Sequence, residues 1–127
     1  MAIKVGDRVP NGTFTVMTAD GPKPKTTDEL FKGKGIDTIA VTGVNDVFVM
    51  DAWKRASGGG AIEFLADGSG NWAKALGLTA DLTERGLGVR SQRYAMVIDD
   101  GVVKTLNLED APGKADISGA DNLLKSL

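Results

Sequence analysis

The sequence predicts an α/β fold, a mixed sheet with flanking helices, and three observations carry that expectation. Short β-branched or apolar runs alternate with helical patterns through residues 13–77. Two β-rich runs then flank Asp99-Asp100-Gly101, a hairpin signal that adds antiparallel pairing. The chain closes on a helical pattern headed by Ser118. With 127 residues, 42% hydrophobic and 25% charged, a single domain spanning residues 1–127 is expected.

Each element has a local reason. Thr13-Phe14-Thr15-Val16-Met17 alternates as a half-buried strand does, and residues 20–24 (Asp-Gly-Pro-Lys-Pro) read as a loop. Residues 27–31 predict a helical turn capped by Thr26 or Thr27 and ended by Gly33 and Gly35. Residues 36–42 (Ile-Asp-Thr-Ile-Ala-Val-Thr) predict a well-buried strand. Asn45 is then the expected N-cap of a helix whose apolar face is Val49, Ala52, Trp53 and Ala56. Ser57-Gly58-Gly59-Gly60 stops it. Residues 61–66 predict a strand, and residues 71–76 a short helix closed by Gly77. Residues 86–89 read as a flexible loop before strands at 94–98 and 102–106. Ser118 and Asp121 form an S-x-x-D cap over the stripe Ala120, Leu123, Leu124 and Leu127. This order fits a thioredoxin-like layout.

Composition excludes several chemistries. The chain has no cysteine and no histidine, which removes thiol and imidazole chemistry, a disulfide framework and the commonest metal ligands. No cofactor and no metal site is expected. A net charge of −2 with the two signs mixed gives no electrostatic case for nucleic acid or an anionic membrane. No apolar run reaches the length of a membrane span, and the first residues lack a signal peptide's apolar core, so a cytoplasmic location is expected.

Few constellations suggest function. Gly68-Ser69-Gly70-Asn71-Trp72-Ala73 matches a dinucleotide-binding turn, but the following helix is short and no acid-terminated strand follows at the usual spacing. A strand-to-helix turn needing glycine's positive φ is preferred. Asp99/Asp100 and Glu109/Asp110 read as solvated turn residues. Arg90-Ser91-Gln92-Arg93 stands at the mouth of the most apolar strand. Its arginines suit either an anion clamp or a structural ion pair.

From Gly86 onward the sequence becomes recognisable. Gly88-Val89-Arg90-Ser91-Gln92-Arg93-Tyr94-Ala95-Met96-Val97-Ile98-Asp99-Asp100-Gly101 resembles the redoxin signature of the type-five, glutathione-using peroxiredoxins. Val5-Gly6-Asp7-Arg8-Val9-Pro10, Val44-Asn45-Asp46-Val47-Phe48-Val49 and Phe64-Leu65-Ala66-Asp67-Gly68 agree with it in order. The resemblance implies a thioredoxin-like homodimer that reduces hydrogen peroxide and alkyl hydroperoxides, with peroxide and glutathione as its small-molecule partners. It also implies that Arg93 is catalytic, the family arginine that holds thiolate and peroxide oxygens. In the family a strand, a cysteine loop and a helix separate the segments matching Phe31-Lys32-Gly33-Lys34 and Gly35-Ile36-Asp37-Thr38. Here they join directly, so one central strand–helix unit, on the order of 30 residues, is missing with its cysteine. Arg93 then has to turn outward, meet a carboxylate such as Asp46 or Asp51, or bind an external anion. The expected reading is a peroxiredoxin-type domain inactive in this cysteine-free form. The alternative is a non-catalytic module that works by dimerisation.

Overall fold

The computed structural model describes residues 2–31, 38–111 and 116–125. The alternating run becomes β1 (Thr13–Thr18), and the chain turns straight back into β2 (Gly21–Thr26) in unbroken antiparallel register. Residues 21–24 are therefore strand rather than loop. Gly21, at φ +96, makes the turn, and Pro22 and Pro24 are tolerated because β2 is outermost in its sheet. Thr26 caps α1 (Thr27–Phe31) reciprocally. Its hydroxyl accepts from the Glu29 N–H at 3.3 Å, and Glu29 Oε1 accepts from the Thr26 N–H at 3.1 Å. The expected stops at Gly33 and Gly35, and the strand start at residues 36–37, lie outside the described residues.

β3 (Ala40–Gly43) runs parallel to β4 (Glu63–Ala66), which meets β1 antiparallel through Ala66 and Thr15. The sheet is therefore mixed, in the order β2-β1-β4-β3. β3 is not the well-buried strand its composition suggests. Ala40 is exposed and Val41, Thr42 and Gly43 are half-buried, because among the described residues nothing pairs with its far edge.

Between them lies α2 (Val47–Ser57), capped by Asp46 rather than Asn45: Asp46 Oδ1 accepts from the Val49 N–H at 2.9 Å. The predicted apolar face is not the buried one. Val47 and Met50 pack with Ala66, Met17 and Phe64, whereas Val49, Ala52, Trp53 and Ala56 are exposed. Spacing identified an apolar stripe, but docking on β4 chose the neighbouring one. α3 (Asn71–Leu76) ends at Gly77 as expected and buries Trp72, Ala73 and Leu76.

β5 (Thr79–Leu82) and β6 (Gly88–Ser91) form an antiparallel hairpin around the 3₁₀ turn Thr83–Arg85, so Gly88 and Val89 of the expected flexible loop 86–89 are strand instead. Four-residue strands of mixed polarity leave no periodic signal. β7 (Tyr94–Asp99) and β8 (Val102–Leu108) make the predicted hairpin, with Asp100 at φ +51 and Gly101 at φ +78 as a type I′ turn requires. α4 (Ala120–Leu124) is a bare five residues with Gly119 at its N-cap. Ser118 does not cap it, because its hydroxyl donates to Glu109 Oε2 at 2.8 Å. Leu124 is exposed, and Leu127 lies outside the described residues.

One core joins the two larger sheets. Phe14, Leu30, Leu65, Trp72, Leu76 and Leu78 are buried together, and Tyr94, Met96 and Leu108 of the β7–β8 hairpin pack against them.

Candidate functional site

The loops after β3 and β4 lie side by side at the C-terminal ends of the parallel pair, where α/β folds commonly place function. Gly68 lies against the first loop, where a Cβ would be in ordinary contact, 3.7 Å from the Asn45 carbonyl oxygen and from the Asp46 Cα. In the second loop Asp67 is buried. Its Oδ1 accepts from the Trp72 N–H at 2.9 Å and its Oδ2 from the Ala73 N–H at 3.0 Å. A carboxylate of the chain itself thus occupies the start of α3, the place a nucleotide phosphate would need. Gly70, at φ +72, supports the turn reading of the glycine motif. An acid directly ahead of Gly68-Ser69-Gly70 was the available sequence signal for this cap.

The two arginines of the Arg90-Ser91-Gln92-Arg93 segment behave differently. Arg90, on β6, is lashed to backbone: Nε donates to the Leu87 carbonyl and Nη1 to the Val44 carbonyl, each at 2.7 Å, with Asn45 Oδ1 at 3.1 Å from Nη1. It is structural, yet through carbonyls rather than an ion pair. Its bonds tie the end of β3 to the strand leading into β7. Gln92 is also anchored, its N–H donating to the Leu78 carbonyl at 2.7 Å and its Nε2 to the Thr79 carbonyl at 3.1 Å.

Arg93 follows on that rigid stem with its carbonyl accepting from the Glu109 N–H at 2.9 Å. Its side chain is exposed. The two carboxylates considered for it are engaged elsewhere: Asp46 caps α2, and Asp51 Oδ2 pairs with Arg55 at 2.7 Å. Arg93 is thus turned outward, and neither Asp46 nor Asp51 meets it. Arg93 shares a cavity of about 230 Å³ with Thr79, Ala80, Gln92, Glu109, Asp110 and Ala111. Glu109 is not a solvated turn residue. It is buried, and its Oε2 accepts from the Ser118 N–H at 2.6 Å as well as from the hydroxyl.

Behind Arg93, Tyr94 OH accepts from Trp72 Nε1 at 3.2 Å. Burial pushes the Tyr94 phenol above its ordinary value of 10.0; the Trp72 hydrogen bond opposes the shift and the Asp67 charge adds to it. The pairing of Trp72 and Tyr94 leaves no local pattern in the sequence, because the partners stand 22 positions apart. A larger cavity of about 540 Å³, lined by Met17, Val47, Lys54, Arg55 and Phe64 among others, shares no residue with the Arg93 cavity.

Residues 22–124 match the family model described as Redoxin. The chain belongs to the redoxin family. Among redoxins it is similar to Peroxiredoxin-2C of Oryza sativa subsp. japonica, with 47% identity over 100 residues, 78% of this chain and 61% of that protein. The chloroplastic Peroxiredoxin-2E of Arabidopsis thaliana is 48% identical over 99 residues, 76% of this chain and 42% of that protein. This redoxin thus spans about three-fifths or less of the length of these relatives. Among solved structures, reduced Prx3 from Vibrio vulnificus in complex with H₂O₂ superposes with a TM-score of 0.90 at 38% identity, covering 98% of both chains. The mixed sheet with flanking helices is the thioredoxin-like fold of peroxiredoxin structures. This is a peroxiredoxin-type redoxin domain without a cysteine.

Proposed function

We propose that residues 1–127 act as one redoxin domain that keeps the peroxide-facing frame of a thiol peroxidase and has lost its nucleophile. One observation carries the reading: a redoxin match over residues 22–124 in a chain with no cysteine anywhere. Peroxide reduction by this family needs a thiolate to attack the O–O bond, and no side chain here can supply that sulfur. The ligand in the Vibrio vulnificus relative supports peroxide as the family substrate. Arg93 is the retained catalytic residue in this proposal, a guanidinium whose planar fork would hold a peroxide or another small oxyanion. Its rigid Gln92 stem and outward side chain support that role.

Glutathione as the donor, a homodimer and a cytoplasmic location belong to the same proposal. The exposed apolar residues Phe48, Val49, Leu87 and Val89 support association, and light scattering across a concentration series tests it. The want of any disulfide framework supports a reducing compartment, and cell fractionation tests that. For the activity, peroxide consumption is measured with glutathione on a sample whose intact mass equals that of the 127-residue chain. No turnover above buffer is expected. Sustained turnover by such a sample overturns the reading.

A further inference from the structure

The chain has no thiol, so the sulfur it retains is thioether: Met1, Met17, Met50 and Met96. A thioether takes oxygen from a peroxide wherever the reagent reaches it, and access decides which one reacts first. Met1 lies outside the described residues. Met50 is 1% exposed and sealed under α2 with Val47 and Ala66. Met96 is half-buried, packs against the core shared by the larger sheets, and lines neither cavity described above. Met17 is half-buried as well, yet it stands in the wall of the cavity of about 540 Å³.

The sequence around it explains why that cavity exists. Side chains alternate along β1, so Phe14 packs in the core with Trp72 while Met17 packs on the α2 side with Val47, Met50 and Ala66. α2 then stops at Ser57, and Gly58, Gly59 and Gly60 line the space beyond it with no side chains to fill it. Gly59 is held to glycine by a close approach, because a Cβ there would sit 2.7 Å from the Phe64 ring. Lys54 and Arg55 bring N–H donors to the same lining. Arg55 is committed to Asp51 at 2.7 Å, whereas Lys54 Nζ lies 6.0 Å from the centre of the Phe64 ring.

We propose that Met17 is an oxidation site for small hydroperoxides, taking up one oxygen to become methionine sulfoxide. The sulfur lone pair attacks the hydroxyl oxygen of the peroxide, and the S–O bond forms as the O–O bond breaks. The proton of that hydroxyl passes to the leaving oxygen, which departs as water or an alcohol. Sulfur is oxidised, the peroxide is reduced, and no further reagent is needed. The Lys54 ammonium in the same wall is a donor suited to the leaving oxygen and to the sulfoxide oxygen. The product is polar where the thioether was apolar, and it lies among Val47, Met50 and Phe64, the residues that seat α2 on the sheet. The event occurs once per chain and is distinct from thiolate turnover. It takes only its reagent class from the peroxide reading.

The test treats the folded 127-residue chain with hydrogen peroxide, stops the reaction with catalase at intervals, and reads each methionine by peptide mass spectrometry. Among Met17, Met50 and Met96, Met17 should gain its oxygen first, at least about tenfold faster than the other two, because access alone separates chemically identical thioethers. In denaturing urea the three rates should converge. The Met17→Leu variant, which conserves side-chain volume, should lose the fast phase and keep the two slow ones. Oxidation of Met50 or Met96 as fast as that of Met17 overturns the proposal. So does a rank order that survives in urea, which would take the selection away from the fold. The readout is an oxygen on one peptide rather than peroxide turnover. Failure here therefore leaves the peroxide reading standing, and turnover by the cysteine-free chain would sink that reading and not this one.

Discussion

α2 and α3 each follow a strand of the same parallel pair, yet the shorter helix is the better buried. α3 spends six residues and seals Trp72, Ala73 and Leu76, with Leu76 at 0% exposure. α2 spends eleven, buries Val47 and Met50, and leaves Trp53 47% exposed. The difference lies in what stands beyond each helix. α3 closes on a core to which both larger sheets contribute, while α2 covers β1 and β4 beside a β3 that has no outer neighbour among the described residues. Helix burial is thus set by the completeness of the sheet beneath, not by the strength of the helix's own apolar pattern.

Substitutions can break or sharpen that contrast. Trp72→Ala removes an aromatic that meets Phe14 edge-on at 5.1 Å and donates to Tyr94. It should cost about 3–5 kcal/mol in urea unfolding. Asp67→Ala strips two buried N–H groups at the start of α3 of their acceptor and should cost about 1–3 kcal/mol each way of measuring, by urea or heat. Trp53→Ala, on the open side, loses the edge contact with Phe64 at 5.2 Å and should cost only about 0.5–1.5 kcal/mol. If Trp53→Ala matched Trp72→Ala, α2 would have to be covered in solution and the contrast would fail.

The smallest effect is a pH dependence on the sealed side. The fold raises the Tyr94 phenol above 10.0, so the neutral phenol contributes stability that is complete below that value and is lost as pH rises through the folded-state one. Tyr94 is the chain's single tyrosine, so tyrosinate absorbance reports it alone. Its ionisation should be delayed past that of free tyrosine and coincide with alkaline unfolding. Early titration would show that this core admits water.

How far the fold is legible in the sequence follows the same division. The β7–β8 hairpin and α3 were readable because Asp99-Asp100-Gly101 and Gly77 act locally and the structure adds nothing against them. Asp46 displaced Asn45 as cap because either residue can serve and the fold decided which faces Val49. The buried stripe of α2 was misread because spacing ranks apolar residues without knowing what lies opposite. The exposure of β3 follows from the want of an outer neighbour among the described residues, to which only the family resemblance pointed. At the site, Arg93 was located by that resemblance, whereas the role of Arg90 depends on carbonyls some 45 positions away, which no local pattern encodes.

The placement of the two tryptophans has an optical consequence. Trp72 is 6% exposed, against Tyr94 on the sealed side, and Trp53 is half in solvent on the open one. Each half of the molecule therefore carries its own fluorophore. A soluble quencher should extinguish the Trp53 emission first and leave a blue-shifted Trp72 component, and anything that comes to cover α2 should register as a gain in the protected fraction.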